Sequence, residues 1–557
     1  MSNTTRYSLL FAFLGAIFYI PFLGGVHLFD WDEVNFAEIS REMLILKDYL
    51  RIYVNFQPFW EKPPFFFWMQ ALAMQGFGVG EFAARLPNAL FGVITLVLLF
   101  NIGQKLYNTR FGIIWATVYL GTVLPFLYFK SGIIDPMFNL FIFLGLYFFI
   151  LSYWKKAGFS SIELPRNRWW YLFLGGFFIG MGILTKGQTA YLLAGLTMAV
   201  YWVYKRFRFY VNVPEFLFFT LAATLVTLAW YGLETWKNGP WFITEFNKYQ
   251  FRLFSTPDAG HVGFPGYHFV MLLFGCFPAS IFAMRAFFRQ PDEQQDHQQD
   301  FRRWMKYLFW VVLILFSIVK SKIVHYSSMC YLPLSFLAAV VLDKILRGDI
   351  AFSTWMKVLL LTVGGVFVLA TAALPFVGMN AEVLAPLFKD AFALASLGAA
   401  VHWTGWEILP ALFLLSLLVL TLRWFGRGQR ERGFYTLFGG TAVFIMLTLI
   451  FFIKRIEGYS QRAAIEFFES KAGQDVYCTT YAYKSYAQLF YFKKQPSANE
   501  NAYNQDWLIN GPVDKDVYIA TKNYRAWALR DRKDMELLGE KNGFVFFRRA
   551  RVVGSGN

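Results

Sequence analysis

The sequence predicts an all-α polytopic membrane protein followed by a small C-terminal α/β domain. Three observations predict it. Apolar runs of about 20 residues recur along the chain between short polar loops, the pattern of helices that cross a bilayer. Basic clusters recur on alternate loops. The composition changes near Lys454, beyond which apolar runs shorten and polar residues and tyrosines become common.

The apolar runs account for the composition. The chain is 57% apolar and 21% aromatic, with a mean hydropathy of +0.41; a soluble domain is nearer about 45–50% apolar. About thirteen spans are expected, near 7–25, 82–103, 111–128, 134–154, 169–185, 188–204, 214–232, 267–284, 306–320, 324–342, 355–378, 407–422 and 433–453. No small-x-small cleavage site follows the first, so it reads as an uncleaved span rather than a signal peptide.

The basic clusters explain the net charge of +16. They are Lys105/Arg110, Lys155/Lys156/Arg166/Arg168, Lys205/Arg206/Arg208, Arg285/Arg289/Arg302/Arg303/Lys306, Lys344/Arg347/Lys357 and Arg423/Arg427/Arg430/Arg432. With this span count and a cytoplasmic N-terminus, all fall on the cytoplasmic side, as the positive-inside rule requires. The charge therefore speaks for membrane topology and not for nucleic acid. The stretch 290–300 reads as a polar cytoplasmic loop. The opposite side then holds segments 26–81, 233–266 and 379–406, short turns near Lys130–Asp135, Lys186 and Lys320–Lys322, and the C-terminal region.

The expected domains are a membrane unit, 1–454, and an extracytoplasmic α/β unit, 455–557. In the second, Asp475–Thr480, Val517–Thr521 and Phe544–Arg548 read as strands, with helices at Ala463–Ser470 and Ser485–Lys493. The last residues, Gly-Ser-Gly-Asn, read as a flexible end. Cys276, Cys330 and Cys478 show neither a CxxC nor a Cys/His ligand spacing, so no disulfide framework or structural zinc site is expected.

The chemistry is expected on the non-cytoplasmic side, around Phe29–Pro64. Phe36, Ile39, Met43, Leu46 and Leu50 recur at spacings of three and four, the stripe of an amphipathic helix lying in the membrane interface. Asp32 and Glu33 follow the first span directly. They read either as solvated boundary acids or as carboxylates at the mouth of a cavity, with Asp32 able to act as general base. Asp135, in SGIIDP, is either a helix-start carboxylate favoured by the dipole or a second acid of the same site.

Glu61-Lys62-Pro63-Pro64 is more specific. The prolines stiffen the chain and fix the direction of the Glu-Lys pair. Lys62 suits a lipid phosphate at this depth, or simply snorkels. Lys186-Gly187 places a cation in a turn that permits close approach. Lys320, Lys322, His325 and Tyr326 gather at one boundary, and cations there run against the positive-inside trend. His261, with Glu61 on the same side, could complete a divalent metal site; a structural histidine is the plainer reading.

In this order and on this side, the motifs resemble the GT-C membrane glycosyltransferases that use a polyprenyl-phosphate sugar. That group includes the protein O-mannosyltransferases and, nearest in pattern, the bacterial lipid A aminoarabinose transferases. Members carry D-E-x-R-Y-A-E-I-x-R-E-M after the first span, then E-K-P-P, an Asp opening the fourth span, a KG turn and K-x-x-H-Y. Here these are Asp32 to Met43, Glu61 to Pro64, Asp135, Lys186-Gly187 and Lys322 to Tyr326, with Asn35-Phe36 where the family has Arg-Tyr.

The resemblance implies transfer of a sugar from undecaprenyl phosphate to lipid A, another glycan or a protein, at the outer face of a bacterial inner membrane, with inversion. It implies Lys62, helped by Lys186 or Lys322, on the leaving phosphate, and Asp32, aided by Asp135, on the acceptor proton. Glu33, Glu61, Lys186, Lys320, Lys322, His325 and Tyr326 would bind substrate. The rival classes are a transporter or flippase of a lipid-linked glycan and an assembly protein. Transporter charges are often distributed at mid-depth through the spans, whereas these gather at one boundary; an assembly role leaves EKPP and KG unexplained.

Overall fold

The computed structural model describes residues 2–256, 263–289, 293, 295–387 and 389–552. Helix α1 (Asn3–Tyr19) leads into α2 (Asp32–Leu46), a two-residue-strand hairpin of β1 (Tyr53–Val54) and β2 (Gln57–Pro58), and α3 (Phe65–Phe77). Helix α4 (Glu81–Leu106) follows, then the bent pair α5 (Thr109–Leu120) and α6 (Val123–Phe129), α7 (Asp135–Ala157), α8 (Arg168–Lys186), α9 (Thr189–Tyr204), α10 (Val213–Asn238) and α11 (Trp241–Ser255). A second bent pair, α12 (Tyr267–Gly275) and α13 (Ala279–Ala286), precedes α14 (Asp296–Ile318), a 3-10 turn (Val324–Cys330), α15 (Tyr331–Arg347) and α16 (Thr354–Met379). Short helices α17 (Ala381–Leu384) and α18 (Ala391–Leu397) lead to α19 (Leu409–Gly426) and α20 (Arg430–Ser460).

A helix or bent pair stands at each expected apolar stretch. Seven described helices are long and apolar enough to cross a membrane, or nine if each bent pair is one span. The expected count was higher because it counted apolar stretches: α1 has 17 residues, α9 has 16, and α14 opens on charged turns. That opening also corrects the reading of 290–300 as a loop, since its last residues, from Asp296, are helical. His297 in that turn bonds the Leu106 carbonyl at 2.8 Å, which gives the polar sequence a partner.

The bundle packs closely where side chains are smallest. Helix α8 lies against both α7 and α10. A Cβ on Gly176 would come within 2.3 Å of the Phe219 carbonyl oxygen, so this crossing excludes any larger residue. Helix ends alternate in position. At one end, Lys130 Nζ donates to the Phe18, Tyr19 and Pro21 carbonyls, Trp230 Nε1 donates to Leu50 O at 2.8 Å, and Lys186 meets Asp135. At the other, Trp154 Nε1 meets Asp300, Arg302 and Lys344 both meet Glu293, and Arg110 pairs with Glu431. Members of the basic clusters thus lie at the end away from the charged motifs, many of them beside acids.

After α20 come α21 (Arg462–Glu469), β3 (Tyr477–Tyr481), α22 (Ala487–Phe490), α23 (Gln505–Asn510), β4 (Val517–Lys522), α24 (Trp527–Arg530), β5 (Met535–Lys541) and β6 (Phe544–Arg549). The sheet order is β3-β4-β6-β5. Strand β3 runs parallel to β4 with Tyr477 opposite Val517; the other pairs are antiparallel, with a register shift between Leu537 and Gly539. The three expected strands are present. Strand β5, MELLGEK, was not expected: it is an edge strand, largely exposed, whose Glu, Gly and Lys have poor strand propensity. The helix expected over Ser485–Lys493 is only Ala487–Phe490.

One face of this sheet does not close on itself. Ile465, Phe468, Cys478, Ala520 and Phe546 form a single core with Val34 and Ala37 of α2 and Ala83 of α4. Every residue of α2 from Glu33 to Met43 is buried. The helix is therefore buried on all sides between the bundle and the sheet, which corrects the one-faced interfacial helix expected, and it stops at Leu46, short of Leu50. Polar groups complete the seam: Arg41 forks onto Glu38 at 2.7 Å and reaches Lys494 O at 2.8 Å, and Leu28 N donates to the Tyr491 hydroxyl at 2.6 Å.

Candidate active site

The start of α2 is locked from below. Arg85, in the first turns of α4, spends all five N–H donors. Two go to Glu33, at 3.0 and 2.8 Å, and the others to the Leu23, Val26 and His27 carbonyls at 2.8 to 2.9 Å. Glu33 also accepts from Phe29 N at 2.9 Å and Gly132 N at 2.6 Å. Burial alone would raise its pKa, but the Arg85 charge and these bonds hold it below the ordinary carboxylate value. With its oxygens so occupied Glu33 anchors the start of α2, and it also lines the second cavity described below. Its neighbour Asp32 is left half exposed, with its carboxylate at the start of a helix.

Asp32 stands where two cavities meet. The first, of about 200 Å³, is lined by Lys62, Asp135, Lys186, Tyr249, Tyr326 and Ser328 among others, and by apolar side chains of α9 and α14. The second, of about 740 Å³, holds Asp30, Trp31 and Glu33, with apolar walls from Leu124, Leu127 and the C-terminal half of α20. Asp32, Ile323 and His325 line both. The His325 ring bridges the junction. Its Nε2 is 3.9 Å from Asp32 Oδ2, and its Nδ1 shares a hydrogen bond with the Tyr128 hydroxyl at 2.9 Å.

In the first cavity the cations are carried on stiff elements. Pro63 and Pro64 lead straight into α3, and Lys62 lies with its ammonium 5.1 Å from the Tyr249 ring centroid. Asp135 opens α7, followed by Pro136, as a helix dipole and a proline at N1 favour. Lys186 Nζ is 2.6 Å from Asp135 Oδ1, the Ser328 hydroxyl donates to the same oxygen at 3.4 Å, and Asn139 Nδ2 donates to Ser328 Oγ at 2.9 Å. Gly187 has φ +94°, and a Cβ there would lie 2.3 Å from Phe246; the turn that carries Lys186 needs glycine on both counts.

The cavities thus collect Asp32, Lys62, Asp135, Lys186, His325 and Tyr326. Other expected residues lie elsewhere. Lys322 donates to the Phe316, Ser317 and Val319 carbonyls at 3.2, 2.6 and 2.6 Å, capping the C-terminal turn of α14, and lines neither cavity. Lys320 is exposed and lines neither cavity, and Glu61 is partly buried outside both. His261 lies outside the described residues. Among the described residues no group of three or more His, Cys, Asp or Glu could hold a metal ion. In place of the family's Arg-Tyr, Asn35 is buried in α2 and Phe36 packs on Phe66 and Phe67.

Residues that were not expected complete the arrangement: Arg85, Tyr128, Tyr249 and Ser328. Arg85 carried one readable signal, a charge just inside an apolar helix, which membrane helices keep only where it has a partner. The others are tied to residues far away in the chain, and no local pattern marks them.

Known proteins resemble this chain in sequence and in fold. Residues 61–230 match a family described as dolichyl-phosphate-mannose-protein mannosyltransferase. The undecaprenyl phosphate-alpha-4-amino-4-deoxy-L-arabinose arabinosyl transferase of Erwinia tasmaniensis is 28% identical over 343 residues, 60% of this chain and 59% of that protein. That of Pectobacterium carotovorum is 27% identical over 417 residues, 72% of this chain and 70% of that protein. The matches thus span about three fifths to seven tenths of these relatives' length. The crystal structure of ArnT from Cupriavidus metallidurans bound to undecaprenyl phosphate superposes over 99% of both chains, with a TM-score of 0.73 at 18% identity. The chain has the GT-C fold of that structure and is related in sequence to the lipid-phosphate-dependent arabinosyl transferases.

Proposed function

We propose that the chain is an integral-membrane glycosyltransferase that moves a sugar from a polyprenyl phosphate to an acceptor held in the second cavity. The observation that carries this reading is the position of Asp32 between two unlike cavities, one bearing Lys62 and Lys186, the other larger and mostly apolar-walled. A displacement with inversion needs the nucleophile and the leaving group on opposite sides of the anomeric carbon, and two cavities meeting at one carboxylate supply that.

The donor phosphate lies by Lys62, with its isoprenoid tail along the apolar side chains of α9 and α14. Lys62 meets the charge that develops as the anomeric carbon–oxygen bond breaks and polyprenyl phosphate leaves. Asp135 holds Lys186 and keeps a second cation near. An acceptor hydroxyl in the second cavity attacks and gives its proton to Asp32, whose position Glu33 and His325 fix. For an acceptor phosphate no proton need move, and Asp32 orients it. The relatives' names give a donor and no acceptor; lipid A, another glycan or a protein suits the same geometry.

The site faces away from the cytoplasm in the inner membrane, with the N-terminus inside and the sheet outside. The basic clusters at the opposite end of the bundle support that orientation. Residues 1–454 form the membrane unit, with α2, α3 and α11 at its outer face, and 455–557 the outer unit. Mass spectrometry of polyprenyl-phosphate sugars in host membranes tests the reading. A single such lipid accumulating with Lys62→Ala, and a matching modified product disappearing, supports transfer. No change in either pool favours transport of a lipid-linked glycan instead.

A further inference from the structure

Helix α20 gives a depth scale for the outer unit. Its apolar stretch ends at Ile453, and Lys454 and Arg455 follow. Charge closing an apolar run marks where a spanning helix leaves the hydrocarbon. Trp406, 68% exposed at the start of α19, lies at the same level, since its neighbour Glu407 pairs with Arg455. An exposed indole there is typical of the membrane–water interface. Gly458 is four residues beyond Lys454, about 6 Å along the helix. The headgroup layer is about 5–7 Å deep.

The sheet is pinned at that depth. Asn542 Nδ2 donates to Gly458 O at 3.4 Å, and Asn523 N donates to Gly543 O at 2.9 Å. Asn523 Nδ2 also donates to Ala391 O at 2.8 Å, in the outer segment between α16 and α19. Asn523 opens a 3-10 turn (Asn523–Arg525) that runs on into α24. The chain thus leaves β4 at headgroup level.

The residues that follow expose apolar surface. Among the described residues beyond α20, the exposed large apolar side chains are Tyr524, Trp527, Leu537, Leu538 and Val552. Tyr524 is 46% exposed and Trp527 66%. Arg525 lies between them, exposed, with its guanidinium 5.8 Å from the Tyr524 ring centroid rather than on a carboxylate.

We propose that Tyr524 and Trp527 anchor the outer unit to the membrane, seated among phospholipid headgroups, with Arg525 on a lipid phosphate. Each aromatic joins an apolar body to a polar tip, which suits that layer, and a cation beside them meets phosphate. The inference rests on α20 as a membrane span and not on the transfer reading.

Photo-crosslinking of the full-length protein tests it, in nanodiscs of phosphatidylethanolamine and phosphatidylglycerol that include a phospholipid with a diazirine beside the glycerol backbone. Mass spectrometry maps the sites. Trp406 is the interface control. Residues 473–476 are the water control, because they precede β3 at the opposite end of the sheet, about 20 Å away. Links are expected on residues 523–530 within threefold of the yield at Trp406, and none on 473–476. Their absence from 523–530 while Trp406 is labelled overturns the proposal. Tyr524→Ser combined with Trp527→Ser should cut them at least threefold, with Trp406 labelling and the melting temperature unchanged, since both side chains are exposed. Unchanged labelling in that variant shows lipid passing by without being held, and overturns the anchor. Links from 523–530 to a second copy of the chain in place of lipid assign the patch to self-association and overturn it too. Release of polyprenyl phosphate by the native chain is read separately, so a failure here with transfer intact refutes the anchor and not the transferase.

Discussion

Replacing Arg85 with Met should both destabilise the protein and slow transfer, though Arg85 touches no substrate in the proposed mechanism. Arg85 and Glu33 side chains are 4% and 7% exposed. Removing the guanidinium leaves a carboxylate buried with only two backbone N–H partners, and breaking one side of a buried pair costs about 3–5 kcal/mol. Glu33→Leu on its own strands the arginine and costs a similar amount. The double variant removes both charges, so the two losses should fall short of additivity by about 1–3 kcal/mol. Arg85→Lys should rescue little, because an ammonium cannot reproduce five donors in a fixed fork. Equilibrium unfolding in mixed micelles measures the cycle. Turnover supplies the second readout: Asp32 adjoins the anchor, so turnover should fall more than donor affinity, which in the proposed mechanism depends on Lys62. A cost for Arg85→Met of about 1 kcal/mol or less, the range of an exposed pair, or additive losses, would refute the argument that this pair fixes the site.

Three further outcomes follow from the same geometry. Asp32→Asn keeps the shape of the junction and removes the proposed proton acceptor; with a hydroxyl acceptor, turnover should drop about 10²–10⁴-fold, while thermal stability and donor binding stay at the native level. Gly187→Ala places a Cβ against Phe246 in a turn with φ +94°; it should destabilise by about 1–3 kcal/mol and weaken donor binding by displacing Lys186, measured as unfolding and donor titration of one preparation. The His27–Glu457 contact at 2.8 Å ties the segment before α2 to the end of α20. The hydrogen bond to Glu457 raises the His27 pKa above 6.5 despite burial. Its stabilisation is therefore complete below pH 6.5 and lost as pH rises through the folded value. Hydrogen exchange at 26–31 should quicken across that rise in the native protein, and the step should vanish in His27→Gln.

Much of the membrane region was legible because its signals are local. Apolar length marks the helices, and Pro63-Pro64, Asp135-Pro136 and Lys186-Gly187 each state their geometry within a few residues. Those motifs converge on one cavity as their shared side of the membrane implied. What was not legible depends on partners distant in the chain. Glu33 reads as half of an acidic pair until Arg85, 52 positions on, claims it. Lys322 reads as a phosphate ligand because its neighbours do; its place just past the end of α14 instead makes it a cap for that helix's carbonyls. The stripe on α2 concealed that its polar face is buried too, since the sheet covering it comes more than 400 residues later, as the 453-position separation of Arg41 and Lys494 shows. Strand β5 escaped because an exposed edge strand lacks the alternation that marks a half-buried one.

The most direct test of the central claim is release of polyprenyl phosphate from a polyprenyl-phosphate sugar by the purified protein, with native chain, Lys62→Ala and Asp32→Asn compared in the same lipid. Release is expected from the native chain only when acceptor is present, with both variants folded and inactive. Equal release by all three would contradict it, and so would movement of the intact lipid-linked sugar across the bilayer without cleavage.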